Sequence, residues 1–357
     1  MSYMCRVTPE PFFPPWPWGS FASDTNSATG CFAFYYRFCG SSSQPLLAAE
    51  PGRSSSTSTQ ERDTNDKTPK PADRRDESGS SSSSSVGGIY NVRPDQRLAV
   101  FGASLGLPLR FGSGAVVKGY KLESLPESEA TEDKYYVEFA GRKFVESASP
   151  GPRPEKPIEL YEFEGCPFCR KVREIVSILD IDVLFYPTPK NGPNFRPKVV
   201  ELGGKRQFPY MVDPNTGVSM YESDDIIKYL VDKYGDGQVP LPLKLGFLTT
   251  ITASLALAAR GGKGSNYVPS RLPEKPLELW AYEQSPFCKI ASETFSELEI
   301  PHIYHSCARG SSKRDELKQK TGKFQVPYME DPNTGVKMFE NAAIVEYLKS
   351  TYGLPQP

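Results

Sequence analysis

The chain has 357 residues, a formal net charge of −1 and a hydrophobic fraction of 38%. This length accommodates two or three domains. The near-neutral charge argues against nucleic acid as the main partner, since binding to phosphates requires a marked excess of basic side chains.

Residues 1–85 differ in composition from the rest of the chain. Residues 1–60 contain 11 Ser and 5 Thr against three acidic residues, and 80–85 is an unbroken serine run. Because this stretch has too little apolar surface to offset its ordering entropy, we predict that it is disordered. We interpret it as a chloroplast transit peptide followed by a Ser-rich linker. Ten aromatic residues within 12–39 are unusual for a transit peptide, so an ordinary disordered tail or a mis-started reading frame are the alternatives.

An internal duplication organises the chain from residue 155 onward. Glu-Lys-Pro-Ile-Glu-Leu-Tyr begins at 155 and returns as Glu-Lys-Pro-Leu-Glu-Leu-Trp at 274, which is an offset of 119 (274 − 155). Phe-Pro-Tyr-Met-Val-Asp-Pro-Asn-Thr-Gly-Val at 208–218 returns at 326–336 with two substitutions. Self-similarity of this length indicates a duplicated structural unit. Each copy has the pattern β-α-β-α-β-β-α, which predicts two packed α/β domains.

The predicted domains are 155–235 and 274–353, and one continuous sheet through both would contradict their separation. Residues 86–154 form a glycine-rich apolar leader that we expect to be partly ordered, and 236–273 form an apolar linker. Leu107–Gly112 resembles Leu241–Gly246, which suggests that the duplication extends upstream.

The linker contains 15 uncharged residues from Leu245 to Ala259, fewer than the ~20 that a membrane span needs. We interpret this stretch as a helix packed on the domains. Peripheral membrane contact through 241–260 and an extended linker are the alternatives.

The first repeat places Cys166 and Cys169 between a predicted strand and a predicted helix. Such a pair, outside an extracellular cysteine pattern, indicates redox chemistry or metal binding. Cys166 just before the helix N-terminus would have a lowered pKa and act as a nucleophile, with Arg170 and Lys171 adding positive charge. Cys169, one turn into the helix, would be the resolving thiol. No metal is expected, since the chain has only two histidines to complete a site.

The turn from Glu164 to Lys171 resembles the active site of glutaredoxins. A proline some 40 residues later, with Glu-Ser opening the last helix, resembles the N-terminal domain of glutathione transferases. The full layout of 155–353 resembles plant and algal plastid proteins with tandem domains of this kind. The resemblance implies two tandem thioredoxin-like domains, with glutathione as co-substrate and protein disulfides as partners.

The resemblance also implies roles for residues outside the cysteine turn. Pro209 would be a cis proline that faces the cysteines and directs the backbone of Phe208 toward a bound peptide or glutathione. Glu222 and Ser223 would receive the γ-glutamyl end of glutathione, with Ser223 supplying donors at a helix N-terminus. An ordinary trans proline and a plain N-cap are the alternatives.

The second repeat departs from this pattern at its first cysteine. Ser285 stands at the position of Cys166, and the residues that match the other site positions are Cys288, Val326, Pro327, Glu340 and Asn341. The repeat could therefore be a docking or degenerate domain, a glutathione-binding domain that uses Ser285, or a site of thiol chemistry. Cys307 is predicted at the same sheet edge as Cys288, and a bond between them would need Cα atoms within about 7 Å.

The leading functional hypothesis is a glutathione-linked thiol–disulfide oxidoreductase of glutaredoxin type that uses Cys166 and Cys169. A non-enzymatic glutathione- or peptide-binding module and a glutathione transferase-like enzyme are the alternatives. Transferases add an all-helical domain to bind the electrophile, whereas only the 38 residues of 236–273 separate the two repeats.

Overall fold

The computed structural model describes residues 92–126, 131 and 133–355. The predicted disorder and targeting function of residues 1–85 lie outside these residues. The described chain contains a leader with a small inserted sheet, a first repeat, and a second repeat that is preceded by its own leader.

The first leader contains more regular structure than its glycine-rich sequence indicates. After a 3-10 turn at Pro94–Gln96, its elements are α1 (Arg97–Ser104), α2 (Gly106–Leu109), β1 (Lys121–Leu125), β2 (Val137–Phe139) and β3 (Arg142–Ser147). The three strands form an antiparallel sheet in the order β1-β3-β2. This inserted sheet has no counterpart in the second leader.

The first repeat shows the predicted β-α-β-α-β-β-α order. Its elements are β4 (Ile158–Glu162), α3 (Pro167–Leu179), β5 (Val183–Pro187), α4 (Phe195–Gly203), β6 (Tyr210–Asp213), β7 (Val218–Met220) and α5 (Ser223–Tyr234). Helix α3 buries Val172, Ile175 and Val176 at helical spacing against the sheet. It ends at Asp180, which adopts a left-handed conformation.

The second leader and second repeat follow. Their elements are α6 (Leu241–Lys244), α7 (Phe247–Ala258), β8 (Leu277–Ala281), α8 (Pro286–Glu297), β9 (His302–Ser306), α9 (Lys313–Thr321), β10 (Tyr328–Glu330), β11 (Lys337–Phe339) and α10 (Asn341–Tyr352). The segment that we interpreted as a linker thus contains two helices, and α7 packs against α3 of the first repeat.

The duplicated Asp-Pro-Asn-Thr-Gly sequence forms a turn that stabilises each repeat. Asp213 accepts hydrogen bonds from the hydroxyls of Tyr229 and Tyr234, both at 2.6 Å, and from the Asn215 backbone at 2.9 Å. Burial opposes ionisation of Asp213, but these hydrogen bonds hold its pKa below the ordinary value. Asp331 has the same environment in the second repeat. The strongest sequence identity between the repeats therefore marks a structural turn.

The two repeats share one eight-stranded sheet, so the prediction of two separate sheets is wrong. Its order is β11-β10-β8-β9-β5-β4-β6-β7, and β5 pairs with β9 in antiparallel fashion. Leu184 lies opposite Ile303, and these are equivalent positions because 303 − 184 equals the repeat offset of 119. A pseudo-two-fold axis therefore passes between them. The physical reason is that β5 and β9 would each be an unpaired edge strand of its own repeat, and their backbone groups pair with each other.

The pseudo-two-fold relationship determines where the two sites lie. Strands β4 and β5 are parallel, strands β8 and β9 are parallel, and the two pairs run in opposite directions. The C-terminal ends of β4 and β8 consequently point in opposite directions, so the two sites lie at opposite ends of the strands. One apolar core, with side chains such as Ile158, Phe185 and Phe295, extends through both repeats.

The leaders are duplicated in a register that differs from the one expected. Arg110 forms two hydrogen bonds with Glu174 at 2.8 and 2.7 Å, and Arg260 forms two with Glu293, both at 2.7 Å. The glutamates differ by 119 positions and the arginines by 150 (260 − 110). The 31 extra residues (150 − 119) correspond to the inserted sheet. The expected match of Leu107–Gly112 with Leu241–Gly246 is therefore wrong, because the equivalent residues are those that meet the equivalent glutamates.

Candidate active site

The Cys-Pro-Phe-Cys turn lies between β4 and the first turn of α3. Cys166 is the N-cap of α3 and has extended backbone angles, and its sulfur accepts the Cys169 backbone N–H at 3.3 Å. Pro167 occupies the first helical position, where its missing N–H has no cost. Cys166 is 5% exposed and Cys169 fully buried, whereas Phe168 between them is 46% exposed.

The two thiols differ strongly in acidity. A hydrogen bond from the Cys169 thiol, supported by the Cys169 backbone N–H, lowers the pKa of Cys166, although burial and the nearby Glu162 oppose this. Burial raises the pKa of Cys169 well above the ordinary range, and its hydrogen bond to Cys166 raises it further. Cys166 is therefore the thiol that ionises first and Cys169 the one that stays protonated.

Arg170 and Lys171 do not add positive charge to the thiol in the way expected from sequence. Arg170 is buried and lies 3.2 Å from Glu174, and Lys171 forms an ion pair with Asp224. The charge of each cation is balanced because α3 places these side chains beside acidic neighbours. The lowered pKa of Cys166 follows instead from hydrogen bonds at the helix N-terminus.

A buried charge cluster joins this turn to the second repeat. Arg173 forms ion pairs with Glu162, with Glu164 at 3.0 Å and with Glu283 of the second repeat at 2.8 Å. Lys289 of the second repeat pairs in turn with Glu164. Burial raises the pKa of Glu162 to about 7, against the lowering effect of Arg173. The first site thus has a carboxyl group that can exchange a proton near neutral pH.

The segment that contains Phe208 and Pro209 supplies a second wall of the site. The Phe208–Pro209 bond is cis, as the resemblance implies, and so is Val326–Pro327 in the second repeat. The Phe208 ring makes an edge contact with Phe163 at 6.3 Å between centroids. The segment therefore contacts the residue that follows β4, three positions before Cys166.

Arg196 is a site residue that sequence reasoning missed. Its guanidinium lies over the Phe208 ring at 4.8 Å and near the Phe163 ring at 5.4 Å, which are cation–π distances. Its Nε donates to the backbone oxygens of Thr188 and Pro189 at 3.0 and 2.7 Å. No described carboxylate lies within ion-pairing distance of Arg196. The sequence signal that could have identified Arg196 is the duplication, because Arg314 stands at the equivalent position of the second repeat.

Glu222 and Ser223 lie at the start of α5. The N-cap residue is Glu222, which has a positive φ of 65°. Ser223 is the first helical residue, so the N-cap lies one position before the Ser223 predicted from sequence. The Glu222 carboxylate accepts a hydrogen bond from the Gln207 amide. Glu340 and Gln325 repeat this contact in the second repeat.

The second site has the same local frame without the first thiol. The Ser285 hydroxyl accepts the Cys288 backbone N–H at 3.3 Å, the same distance as in the first site. Cys288 and Cys307 are both buried, and neither is in a disulfide bond. Burial raises the pKa of Cys307 above the range in which a thiolate forms.

The inserted sheet covers the second site. Arg314 occupies the position of Arg196, and its Nε donates to the backbone oxygens of Cys307 and Ala308, as Arg196 does to their equivalents. Glu146 of β3 pairs with Arg314 at 3.1 Å and with Arg309 at 3.0 Å. Glu146 therefore supplies a carboxylate beside Arg314 in the second site, whereas Arg196 in the first site has no such partner among the described residues.

The first leader covers the second site from another side. Asn341, which matches Ser223, donates to the Gln96 side chain at 3.1 Å. Phe287, which matches the exposed Phe168, packs with α1 residues such as Val100 and Ala103. The candidate residues of the two repeats are thus assembled in the same way, but those of the second repeat are covered.

Within the described residues, no group of three or more His, Cys, Asp or Glu side chains is arranged to hold a metal ion.

These features define an α/β protein with two thioredoxin-like units that share one sheet. Residues 160–238 and 279–356 match the family model of the glutathione S-transferase N-terminal domain. The chain therefore carries two segments of this domain type, one in each repeat.

Comparison with solved and curated proteins adds one distant match. A glutathione transferase of Bombyx mori is similar, with 30% sequence identity over 24% of this chain and a TM-score of 0.22. The match covers 38% of that protein's length. No curated protein matches the chain.

Proposed function

We propose that the protein is a glutathione-linked thiol–disulfide oxidoreductase of glutaredoxin type, and that Cys166 and Cys169 carry the reaction. The observation that carries this proposal is the difference between the two thiols. Hydrogen bonds from Cys169 lower the pKa of Cys166, while burial keeps Cys169 protonated. A nucleophilic thiol followed by a protonated one three residues later suits stepwise disulfide exchange.

The reaction begins when the Cys166 thiolate attacks one sulfur of a protein disulfide. A mixed disulfide forms, and the other substrate sulfur leaves as a thiolate that takes up a proton. Cys169 then loses its proton, attacks the Cys166 sulfur and releases the second substrate thiol, so that Cys166 and Cys169 end as a disulfide. Glu162, with a pKa of about 7, can accept the Cys169 proton. Two molecules of glutathione reduce this disulfide and leave as oxidised glutathione.

Glutathione would bind along Phe208, with its γ-glutamyl end at Glu222 and Ser223. The first turn of α5 offers backbone N–H groups to the γ-glutamyl carboxylate. Arg196 supports the orientation of this ligand, since its guanidinium lies over the Phe208 ring without an acidic partner among the described residues. The tripeptide carries a second carboxylate at its glycine end, which the charge of Arg196 would attract.

The second repeat would be a structural partner that lacks catalysis. Ser285 cannot form a disulfide, and Glu146 pairs with Arg314, the cation of that site. The repeat supplies Glu283 to the buried cluster that holds Arg173 beside Glu162. This role corresponds to the degenerate or docking alternative.

We also propose that residues 1–85 direct the protein to the chloroplast, on the basis of their Ser/Thr-rich composition. A fluorescent protein fused behind residues 1–85 tests this. Fluorescence confined to chloroplasts supports the proposal, and fluorescence throughout the cytosol contradicts it.

The experiment that tests the enzymatic function is a coupled assay with a glutathionylated peptide, glutathione and glutathione reductase. Full-length protein should turn over, and Cys166→Ser should abolish turnover. Cys169→Ser should retain this activity while it accumulates mixed disulfides with protein substrates. Turnover that is unaffected by Cys166→Ser would contradict the assignment of Cys166 as the nucleophile. A wild-type protein that binds glutathione without turnover would instead indicate a binding module.

A further inference from the structure

The two leader helices form an outer layer on the molecule. Helix α7 packs against α3 of the first repeat, and α1 packs against α8 of the second. The two leaders meet where Gly102 of α1 approaches the backbone oxygen of Ala259, since a Cβ at Gly102 would lie 2.9 Å from that oxygen. Only one side of each helix is buried by these contacts. Their outer sides together form one face of the molecule.

This outer face is strongly apolar, which is unusual for a solvent-facing surface. On α1, Leu98 is 87% exposed and Phe101 lies three positions later, also exposed. On α7, the exposed positions Phe247, Leu248, Ile251 and Leu255 follow the spacing of one helical side. We call these six side chains the outer face.

The two segments that form the outer face carry only basic charges, and the exposed Asp95 just before α1 pairs with Arg93. Residues 97–122 and 237–273 contain no Asp or Glu. Arg97, Lys244 and Lys263 are exposed at the ends of the two helices, and none of them has an ion-pair partner among the described residues. Helices with an apolar outer side and basic residues at its border are typical of proteins that lie on a lipid surface.

We propose that the outer face binds the surface of an anionic lipid bilayer, with its apolar side chains inserted among the acyl chains and Arg97, Lys244 and Lys263 at the headgroups. Charge complementarity favours a bilayer over a second copy of the chain, since a symmetric contact would bring these cations together. The contact is peripheral, and within the described part of the chain no helix is long and apolar enough to cross a membrane.

A groove at the edge of the outer face extends the surface available to lipid. It has a volume of about 750 Å³, and its lining includes Phe111, Leu241 and Lys244. Phe111 and Leu241 are themselves exposed. The apolar surface therefore continues from α7 through α6 to the end of α2.

Sedimentation of the full-length chain with vesicles tests the proposal. Phosphatidylcholine vesicles that contain 30 mol% phosphatidylglycerol, on the order of an anionic biological membrane, should bind the protein, and pure phosphatidylcholine vesicles should bind it less. The double variant Phe101→Glu/Phe247→Glu should lower the partition coefficient at least tenfold, since two phenylalanines leave the acyl region. Lys244→Glu should weaken binding to the anionic vesicles only.

Leu202→Glu on α4 is the matched control, because Leu202 is a similarly exposed apolar residue outside the outer face. It should leave vesicle binding unchanged, and all variants should keep the alkylation rate of Cys166. Equal binding by wild type and the double variant would overturn the proposal, and so would a failure of wild type to bind. A wild-type dimer that dissociates in the double variant, without vesicle binding, would assign the face to a second copy and also overturn it.

Discussion

The Arg314 guanidinium pairs with the Glu146 carboxylate at 3.1 Å, and the equivalent arginine of the first repeat, Arg196, has no such partner among the described residues. Each arginine donates Nε to two backbone oxygens at equivalent positions of its repeat and lies over an aromatic ring. The inserted sheet therefore distinguishes two otherwise similar sites. It closes one with a carboxylate and leaves a free cation in the other.

We expect Arg196→Gln to weaken glutathione binding in the first site. A hydrogen bond to a charged group contributes about 1.5–3 kcal/mol, so KM for glutathione should rise roughly 10- to 100-fold. The value of kcat should change less than KM, because Arg196 interacts with Cys166 and Cys169 only through its charge. Steady-state kinetics with varied glutathione and a fixed glutathionylated peptide measures both quantities.

Lys198→Gln is the control for Arg196→Gln, since Lys198 is an exposed cation on the same helix that pairs with Glu201. It should leave KM unchanged. An equal rise in KM for both variants would show that the general positive charge of α4 matters and that Arg196 has no specific role.

The acidity of the two cysteines should be directly measurable. Because the chain has seven cysteines, alkylation by iodoacetamide is followed at each cysteine by peptide mass spectrometry. In Cys169→Ser, Cys166 should have a pH midpoint below the ordinary thiol value of about 8.5. In Cys166→Ser, Cys169 should react slowly up to high pH, because burial raises its pKa. A Cys166 midpoint at or above about 8.5, or faster alkylation of Cys169, would contradict the assignment of the nucleophile.

The second repeat should contribute no thiol chemistry. Cys288→Ser should leave turnover nearly unchanged, because Ser285 cannot form a disulfide with Cys288 and the site is covered. Cys166→Ser, the equivalent test in the first repeat, should abolish turnover. Comparable losses in the two variants, at unchanged thermal stability, would show that both repeats take part.

The repeat and its element order could be predicted from sequence because they depend on local patterns. Periodic apolar residues, the turn at Asp213 and the Cys-Pro-Phe-Cys motif each act within a few residues of the chain. The shared sheet could not be predicted in this way. The pairing of Leu184 with Ile303 depends on which edge strand remains unpaired, and the sequence pattern of β5 is the same whether it is an edge strand or a central one.

The electrostatics of the site were also beyond sequence reasoning. Arg170 and Lys171 follow Cys169 directly, which suggested that they stabilise the thiolate. A helix turns successive side chains by about 100°, so Arg170 meets Glu174 one turn further along α3 and Lys171 meets Asp224 of α5. Arg196 and Glu146 come from distant parts of the chain, and only the tertiary structure brings them to the sites.

Removal of the Glu146 carboxylate should destabilise the protein strongly. Arg314 and Arg309 are largely buried, and Glu146→Ala would leave two cations without their partner. Breaking a buried ion pair costs about 3–5 kcal/mol. The free energy of unfolding from urea titration should fall by about this amount. Glu138→Ala on the exposed part of β2 is the matched control, and an equal effect of both changes would contradict the role of Glu146.

The contact between His305 and Asp182 should make stability depend on pH. The imidazole Nδ1 lies 2.9 Å from the Asp182 carboxylate, and this pair joins β9 of the second repeat to the residue before β5 of the first. Burial opposes protonation of His305, but the hydrogen bond to Asp182 and the Glu278 carboxylate 3.6 Å from Nε2 raise its pKa above the ordinary value. Burial likewise opposes ionisation of Asp182, but its contacts with His305 and Lys313 lower its pKa to about 2.

The sign of the effect follows from these two shifts. A histidine with a raised pKa stabilises the folded state fully below about pH 6.5, and this stabilisation is lost as the pH rises through the folded-state value. The carboxylate of Asp182 keeps its contribution above about pH 3.8 and loses it toward pH 2. The difference in unfolding free energy between wild type and His305→Gln should therefore be largest between about pH 4 and 6.5. It should decline at higher pH.

The buried His302 has its pKa lowered to about 4 by burial and is present in both proteins, so its opposite pH dependence cancels in the difference. Urea titrations of both proteins at pH 5, 7 and 9 measure the profile, and a difference that grows toward pH 9 would contradict the pairing.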